Sequence, residues 1–246
     1  MLNKLCCIAL VLASQSSLVF ANEAKATQAE QHVIQPFTAK YNLIRSADIL
    51  GSATRTLEYL TPEQAKYSYK TDIEWLIFSD NRQEVSLVKL DHHKVTPQQY
   101  NFQRDGTGPN KEYAWQFNIE NNIAKNLKDK TELNIDFPVN IQDSLSYHLQ
   151  NRLNLIKNPE QKLFVYPVMN HSGKVKNYVY QYDGEDELML PFGMIKAVRL
   201  KREVIEKKKI TYAWFAPELN YLLVKIQQIK SDVEQFDAQL TSLEEH

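Results

Sequence analysis

From Tyr178 to Ile229 apolar and polar residues alternate with a period of two, and this restricts the region to short antiparallel strands. Tyr178, Tyr180 and Tyr182 alternate with Val179 and Gln181, and Asp183-Gly184 reads as a turn. Leu188, Met189 and Leu190 lead into Pro191-Phe192-Gly193, after which Ile195, Ala197, Val198 and Leu200 enter another strand. Lys207-Lys208-Lys209 reads as an exposed hairpin connection. Ile210, Tyr212, Trp214 and Phe215 alternate imperfectly, and Pro217-Glu218 turns the chain into Tyr221 to Ile226. Such a meander needs a second hydrophobic layer or closure, so the earlier chain is expected to complete the same sheet.

The earlier chain has the same grammar. Phe37, Ala39, Tyr41 and Leu43 share one face of a first strand, Thr54 to Leu60 supply the next, and Ala65, Tyr67, Tyr69, Thr71 and Ile73 alternate again. Trp75, Ile77 and Phe78 precede an expected turn at Asp80-Asn81, with Val85, Leu87 and Val88 on the return. One segment departs from period two. Ile141, Leu145, Leu149, Leu153 and Ile156 recur in steps of four and three, which predicts a helix near Asp143 to Leu153 capped by Asn140 or Asp143 and stopped by Asn158-Pro159. The expected fold class is mainly β: a strongly curved antiparallel sheet or partly open β-barrel with one covering helix.

The first 21 residues have the form of a signal peptide. Met1-Leu2-Asn3-Lys4 is a positive start, Leu5 to Leu12 is apolar, and Val19-Phe20-Ala21 fits a small-residue cleavage site. Polar Ser14 to Ser17 interrupt the run short of a transmembrane span. Residues 22–35 then read as a flexible spacer, 36–241 as a single β-rich domain and 242–246 as a C-terminal tail. Both cysteines, Cys6 and Cys7, fall in the leader, so the mature chain is expected to lack disulfides, thiolate metal sites and a cysteine nucleophile. Without Lys4, 28 basic residues face 30 acidic ones, a balance that argues against bulk nucleic-acid or anionic-membrane binding. No apolar run after the leader is long enough to span a bilayer, and the expected location is the periplasm.

Candidate chemistry is sparse. Asp91-His92-His93 sets two imidazoles beside a carboxylate, but adjacent strand residues face opposite ways, which makes a poor shared metal site. Asp143, Ser144 and His148 invite a triad reading, although a helix cap and a helix-surface histidine account for the same residues. Glu185, Asp186 and Glu187 have charge for calcium without the spacing of a calcium loop. His171 follows a strand with no acidic residue at useful spacing. Glu58, Glu74, Glu84, Glu185 and Glu187 would serve glycoside chemistry only where two carboxyls converge to roughly 5–9.5 Å. Arg199, Lys201, Arg202 and Lys207 to Lys209 read as a hairpin end kept soluble by charge. Thirteen tyrosines, ten phenylalanines and three tryptophans fill a sheet core or line a cavity. No catalytic, cofactor-binding or metal residue is assigned, no ligand-binding residue is singled out, and no cofactor is expected.

Four loose motifs carry a family resemblance. They are Phe37-Thr38-Ala39-Lys40-Tyr41; Asp143-Ser144-Leu145-Ser146-Tyr147; Gly184-Glu185-Asp186-Glu187-Leu188 with Leu190-Pro191-Phe192-Gly193; and Tyr212 to Glu218 with Tyr221 to Ile226. Together they resemble the domain-of-unknown-function family 3108 of exported Gram-negative envelope proteins. The family's usual Leu-Pro-Val ending is replaced here by Leu222-Leu223-Val224, which relaxes a local bend. The resemblance implies a periplasmic β-rich domain, with a curved sheet like those of lipoprotein carriers, and no established catalytic residues. The expected function is that of a noncatalytic envelope protein that binds an apolar or amphipathic ligand, lipid included, or assists envelope assembly. The alternatives are a protein-binding envelope scaffold and a polysaccharide-modifying hydrolase. Expected partners are a lipid or amphipathic small molecule, or an envelope protein, and not nucleic acid.

Overall fold

The computed structural model describes residues 32–75 and 78–246. The leader with Cys6 and Cys7, the spacer up to residue 31, and Ile77 lie outside the described residues. Strands β1 (Phe37–Arg45), β2 (Asp48–Tyr59), β3 (Gln64–Trp75), β4 (Phe78–Leu90), β5 (Val95–Gly106), β6 (Lys111–Asn118), β7 (Ile123–Asn126) and β8 (Glu132–Asn134) form a first antiparallel meander. A two-residue strand, β9 (Gln142–Asp143), leads into the helix α1 (Ser146–Lys157). The second meander comprises β10 (Leu163–Met169), β11 (Val175–Leu190), β12 (Gly193–Val204), β13 (Lys209–Ala216), β14 (Leu222–Lys230) and β15 (Val233–Glu245). Short 3-10 turns at Ile205–Lys207 and Pro217–Leu219 stand where the lysine run and Pro217-Glu218 predicted connections.

The meanders join through β1 and β15, with Phe37 opposite Glu245 and Ile44 opposite Asp237. The result is one fifteen-stranded sheet running from β8 at one end, through β1 and β15, to β9 at the other. All pairings are antiparallel except β9 with β10. The expectation of a strongly curved sheet or partly open β-barrel is therefore corrected: the sheet is neither closed nor strongly curled, and no ladder joins β8 to β9. Closure requires the end strands to pair, and here they offer three and two residues. Period-two burial shows that one face of a strand is covered. It does not specify what covers it.

The covered face follows the alternation. Phe37, Ala39, Tyr41 and Leu43 on β1, Ala53, Arg55 and Leu57 on β2, and Ala65 and Tyr67 on β3 are buried. The helical stripe is buried as well: Ile141, Leu145, Leu149 and Leu153 join the same core, each contributing about 1.5–3 kcal/mol relative to exposure. Tyr147 and Leu155, elsewhere on α1, pack instead with Phe164, Tyr166, Tyr180 and Phe215. The strands β12 to β14 are buried on both faces, Ala213 and Phe215 in one cluster and Trp214 and Ala216 in the other. That accounts for the imperfect alternation there and for the unbroken run Leu222-Leu223-Val224.

Two turn signals lie inside strands. Asp80 and Asn81 belong to β4; Asp80 is buried and accepts hydrogen bonds from Arg82 Nη2 at 2.7 Å and Arg104 Nε at 3.0 Å. Asp183-Gly184 forms a bulge within β11, where the register to β12 shifts between Tyr182 and Gly184. Gly184 takes φ +122°, so the glycine is required, but for a bulge and not a hairpin. The helix also begins three residues later than expected and continues to Lys157. The last strand runs through Glu245.

Candidate functional site

Helix α1 is fixed over the sheet by side chains that grip a backbone. Gln150 Oε1 accepts the Val95 N–H at 2.8 Å, and Gln142 Nε2 donates to the Val95 carbonyl at 2.8 Å, so the first residue of β5 is held on both polar groups. Beneath the helix, Phe37, Tyr41, Arg55 and Tyr67 from β1 to β3 face His148, Leu149 and Arg152 from α1, with Phe215, Leu222 and Leu223 completing the wall. They enclose a cavity of about 10 Å³, room for roughly one water. The whole cleft, this space and open solvent included, holds about 250 Å³ not filled by atoms.

Two arginines in this wall are buried, each only 5% exposed. Arg55 lies opposite Ala39 on β1 and Tyr69 on β3; the small Ala39 leaves room for the guanidinium, which stacks 4.5 Å from the Tyr69 ring. Its Nη1 donates to the Tyr67 hydroxyl at 2.9 Å. Arg152 donates from Nε to the Asn220 carbonyl at 2.8 Å and from Nη2 to the Leu219 carbonyl at 3.2 Å, with Phe37 5.0 Å beneath its guanidinium. Its Nη1 is buried and unpartnered. Burial pulls the Arg152 guanidinium down to about 10, against the weaker opposing influence of Tyr67 and Tyr41. For His148, burial and then the Arg55 charge push the imidazolium well down, so the ring is neutral at physiological pH.

A second polar group adjoins the start of α1. The Asp143 carboxylate accepts hydrogen bonds from Ser86 Oγ, the Leu145 N–H at 2.8 Å and the Ser146 N–H at 2.7 Å. Glu84, on the same strand as Ser86, accepts from the Tyr100 hydroxyl at 2.5 Å. Burial raises the Asp143 carboxyl against the pull of these donors. Burial also raises Glu84, the negative charge of Asp143 adding to it while Tyr100 and Arg55 oppose it.

The other candidates do not converge. Asp143 contacts Ser86 and the helix entrance, and His148 packs its ring 4.0 Å from Tyr147, so Asp143, Ser144 and His148 do not form a relay. His92 and His93 are exposed in the β4–β5 connection, where the His93 N–H donates to Asp91 Oδ1. His171 stacks on Phe102 and lies tilted against Tyr113, and its carbonyl accepts from Trp115 Nε1 at 3.0 Å. Glu58 pairs with Lys66, and Glu74, Glu185 and Glu187 are exposed. Asp186, on the opposite face of β11, accepts from Arg199 Nη1 and Trp214 Nε1, both at 2.6 Å. No group of three metal-ligating side chains occurs among the described residues. Among those residues, no helix is long and apolar enough to cross a membrane.

The sequence reading did not single out Arg55 or Arg152, yet both carry a positional signal. Arg55 shares its strand face with Ala53 and Leu57, and Arg152 stands three residues after Leu149 on the buried side of the helix.

A β-barrel-like protein of the DUF1849 domain family from Brucella abortus superimposes with a TM-score of 0.60 at 12% identity, over 87% of this chain and 98% of that one. That likeness concerns the fold alone. A DUF1089-family protein from Pseudomonas aeruginosa gives a TM-score of 0.39 at 11% identity, over 70% of this chain and 87% of that one. No curated protein matches the chain. The profile of DUF3108, a protein family of unknown function, matches residues 64–241, which span β3 to β15 and include every motif named above except the one at Phe37 to Tyr41. The chain thus belongs to the DUF3108 family.

Proposed function

We propose that this chain is a noncatalytic envelope protein, exported to the periplasm, that holds a small amphipathic ligand in the cleft beneath α1. The observation that supports this reading is the pairing of chemistries in one wall: Phe37, Leu149, Phe215, Leu222 and Leu223 beside the buried cations Arg55 and Arg152. The enclosed space of about 10 Å³ takes a single head-group atom and no acyl chain, so the rest of the ligand would lie along the open mouth. Glu58, Glu74, Glu185 and Glu187 stand exposed, and the half-buried Glu84 and buried Asp143 are bonded to Tyr100, Ser86 and the start of α1, which speaks against the hydrolase reading. Export rests on the leader pattern of residues 1–21, and fractionation of cells expressing the chain with and without those residues tests it.

Gentle purification followed by native mass spectrometry and solvent extraction tests ligand binding. The expected result is a co-purifying amphiphile of low mass, lost on denaturation. A ligand-free protein whose melting is unmoved by added medium-chain amphiphiles would sink the reading. The alternative is then a protein-binding envelope scaffold. It is favoured by the exposed apolar residues Leu163, Val165 and Val179 on neighbouring strands β10 and β11, where Val165 pairs with Val179.

A further inference from the structure

We infer that the cleft beneath α1 is an anion site that seats one small monoanionic group, a carboxylate or a halide-sized ion, between Arg55 and Arg152. This deepens the ligand reading by naming the head group. The wall of the cavity contains two guanidiniums and no carboxylate. Elsewhere ion pairing is common: Arg82 and Arg104 share Asp80, Arg199 takes Asp183 and Asp186, and Lys225 takes Asp237. Among the described residues neither Arg55 nor Arg152 has such a pair, although these two are among the most deeply buried cations. Glu84 and Glu245 act on them through space without touching them.

A buried cation without a counter-charge is costly, and an anion taken up between the two guanidiniums supplies the missing charge. The geometry leaves a donor free for it. Two nitrogens of Arg152 are committed to the Leu219 and Asn220 carbonyls, and the third, Nη1, is buried in the wall with no acceptor. Arg55 is held by Tyr67 and Tyr69, which fixes its guanidinium before any ligand arrives. Neutral His148 adds a ring nitrogen without adding charge. Size selects within the anions. A space for about one water admits a halide or one carboxylate oxygen and rejects the bulkier phosphate and sulfate. The free Nη1 of Arg152 donates to a single carboxylate oxygen, and the apolar wall suits an aliphatic continuation.

The test is melting of the full chain in sodium methanesulfonate, whose tetrahedral head group is as bulky as sulfate, and in sodium chloride, acetate and decanoate at one ionic strength. At about ten times the dissociation constant, chloride and acetate raise the melting temperature by about 3–5 °C over methanesulfonate. Arg152→Met abolishes the rise, and decanoate binds at least about tenfold more tightly than acetate, since its methylenes meet the apolar wall. Equal melting in methanesulfonate, chloride and acetate overturns the anion site. An acetate effect with no advantage for decanoate upholds the anion site and rejects the amphiphile reading. Decanoate binding that survives Arg152→Met does the reverse. Should Arg152→Met fail to fold, calorimetric titration of the unmodified protein with decanoate in the presence of acetate decides the matter. A competitive loss of affinity supports a shared anion site, and unchanged affinity overturns it.

Discussion

Asp143 and Ser146 exchange hydrogen bonds at the entrance to α1: the Ser146 N–H donates to Asp143 Oδ1 at 2.7 Å, and the Asp143 N–H donates to Ser146 Oγ at 2.9 Å. This is a reciprocal pair that braces the turn ahead of the helix, whose N-cap residue Leu145 makes no side-chain cap bond, and Ser86 Oγ on β4 donates to the same carboxylate. Asp143→Ala leaves the buried Leu145 and Ser146 N–H groups without their acceptor, with an expected cost of about 2–4 kcal/mol in urea unfolding. Asp143→Asn retains an acceptor for the two N–H groups and loses less than half as much.

The same carboxyl gives the stability a pH dependence. Asp143 and Glu84 are both raised by burial above their ordinary values of 3.8 and 4.5. The folded protein therefore keeps protons that the unfolded chain releases. Their stabilising contribution is full below those ordinary values and is lost as pH rises through the raised ones. Asp80 works oppositely: burial raises it, but hydrogen bonds from Arg82 and Arg104 outweigh that and hold it below 3.8. Its contribution is present above 3.8 and is lost as pH falls through the lowered value. Asp143→Asn combined with Glu84→Gln should flatten the decline in urea midpoint above about pH 4 and leave the acid limb in place.

Leu149 and Leu153 sit one turn apart on α1, 1% and 0% exposed, but only Leu149 lines the cleft. Leu149→Ala and Leu153→Ala should each cost about 2–5 kcal/mol, read from chemical denaturation. Only Leu149→Ala should also widen the cleft and change its ligand affinity.

Gly51 on β2 lies opposite Ile73 on β3. A Cβ there would stand 2.0 Å from the Asp72 carbonyl oxygen and 2.8 Å from the Ile73 Cα, both backbone atoms that no rotamer change can move. Gly51→Ala should cost about 3 kcal/mol through forced strand separation. Gly193→Ala meets no atom within 4 Å and carries only the strain of φ +132°, so it should cost less. Thermal melting of the two variants checks the order.

The strands and the single helix were legible because each buries one face, and burial leaves its period in the residues. Phe37-Ala39-Tyr41-Leu43 and Leu145-Leu149-Leu153 lie on the buried faces their spacing predicts. Asp80-Asn81 and Asp183-Gly184 misled because polar residues and glycine serve turns, interior ion pairs and bulges alike. Only the partners, Arg82 with Arg104 and Arg199, tell these uses apart. Closure was not legible, since it depends on which end strands meet. Arg55 and Arg152 were passed over because charge ordinarily marks a solvated face, although their positions lay on buried ones.

The pairing of β1 with β15 brings the first and last strands of the sheet together, and the His246 N–H donates to the Pro36 carbonyl at 3.1 Å. During synthesis β1 waits nearly two hundred residues for this neighbour, while every other antiparallel ladder joins strands consecutive in the chain. Of the antiparallel ladders the seam is thus the one that closes the longest loop, and it carries the largest loop-closure entropy. Linking the ends directly and reopening the chain at an exposed connection such as Asp91–Lys94 would turn that step into a local hairpin. Such a permutation keeps every ladder and moves the long closure from β1 with β15 to β4 with β5.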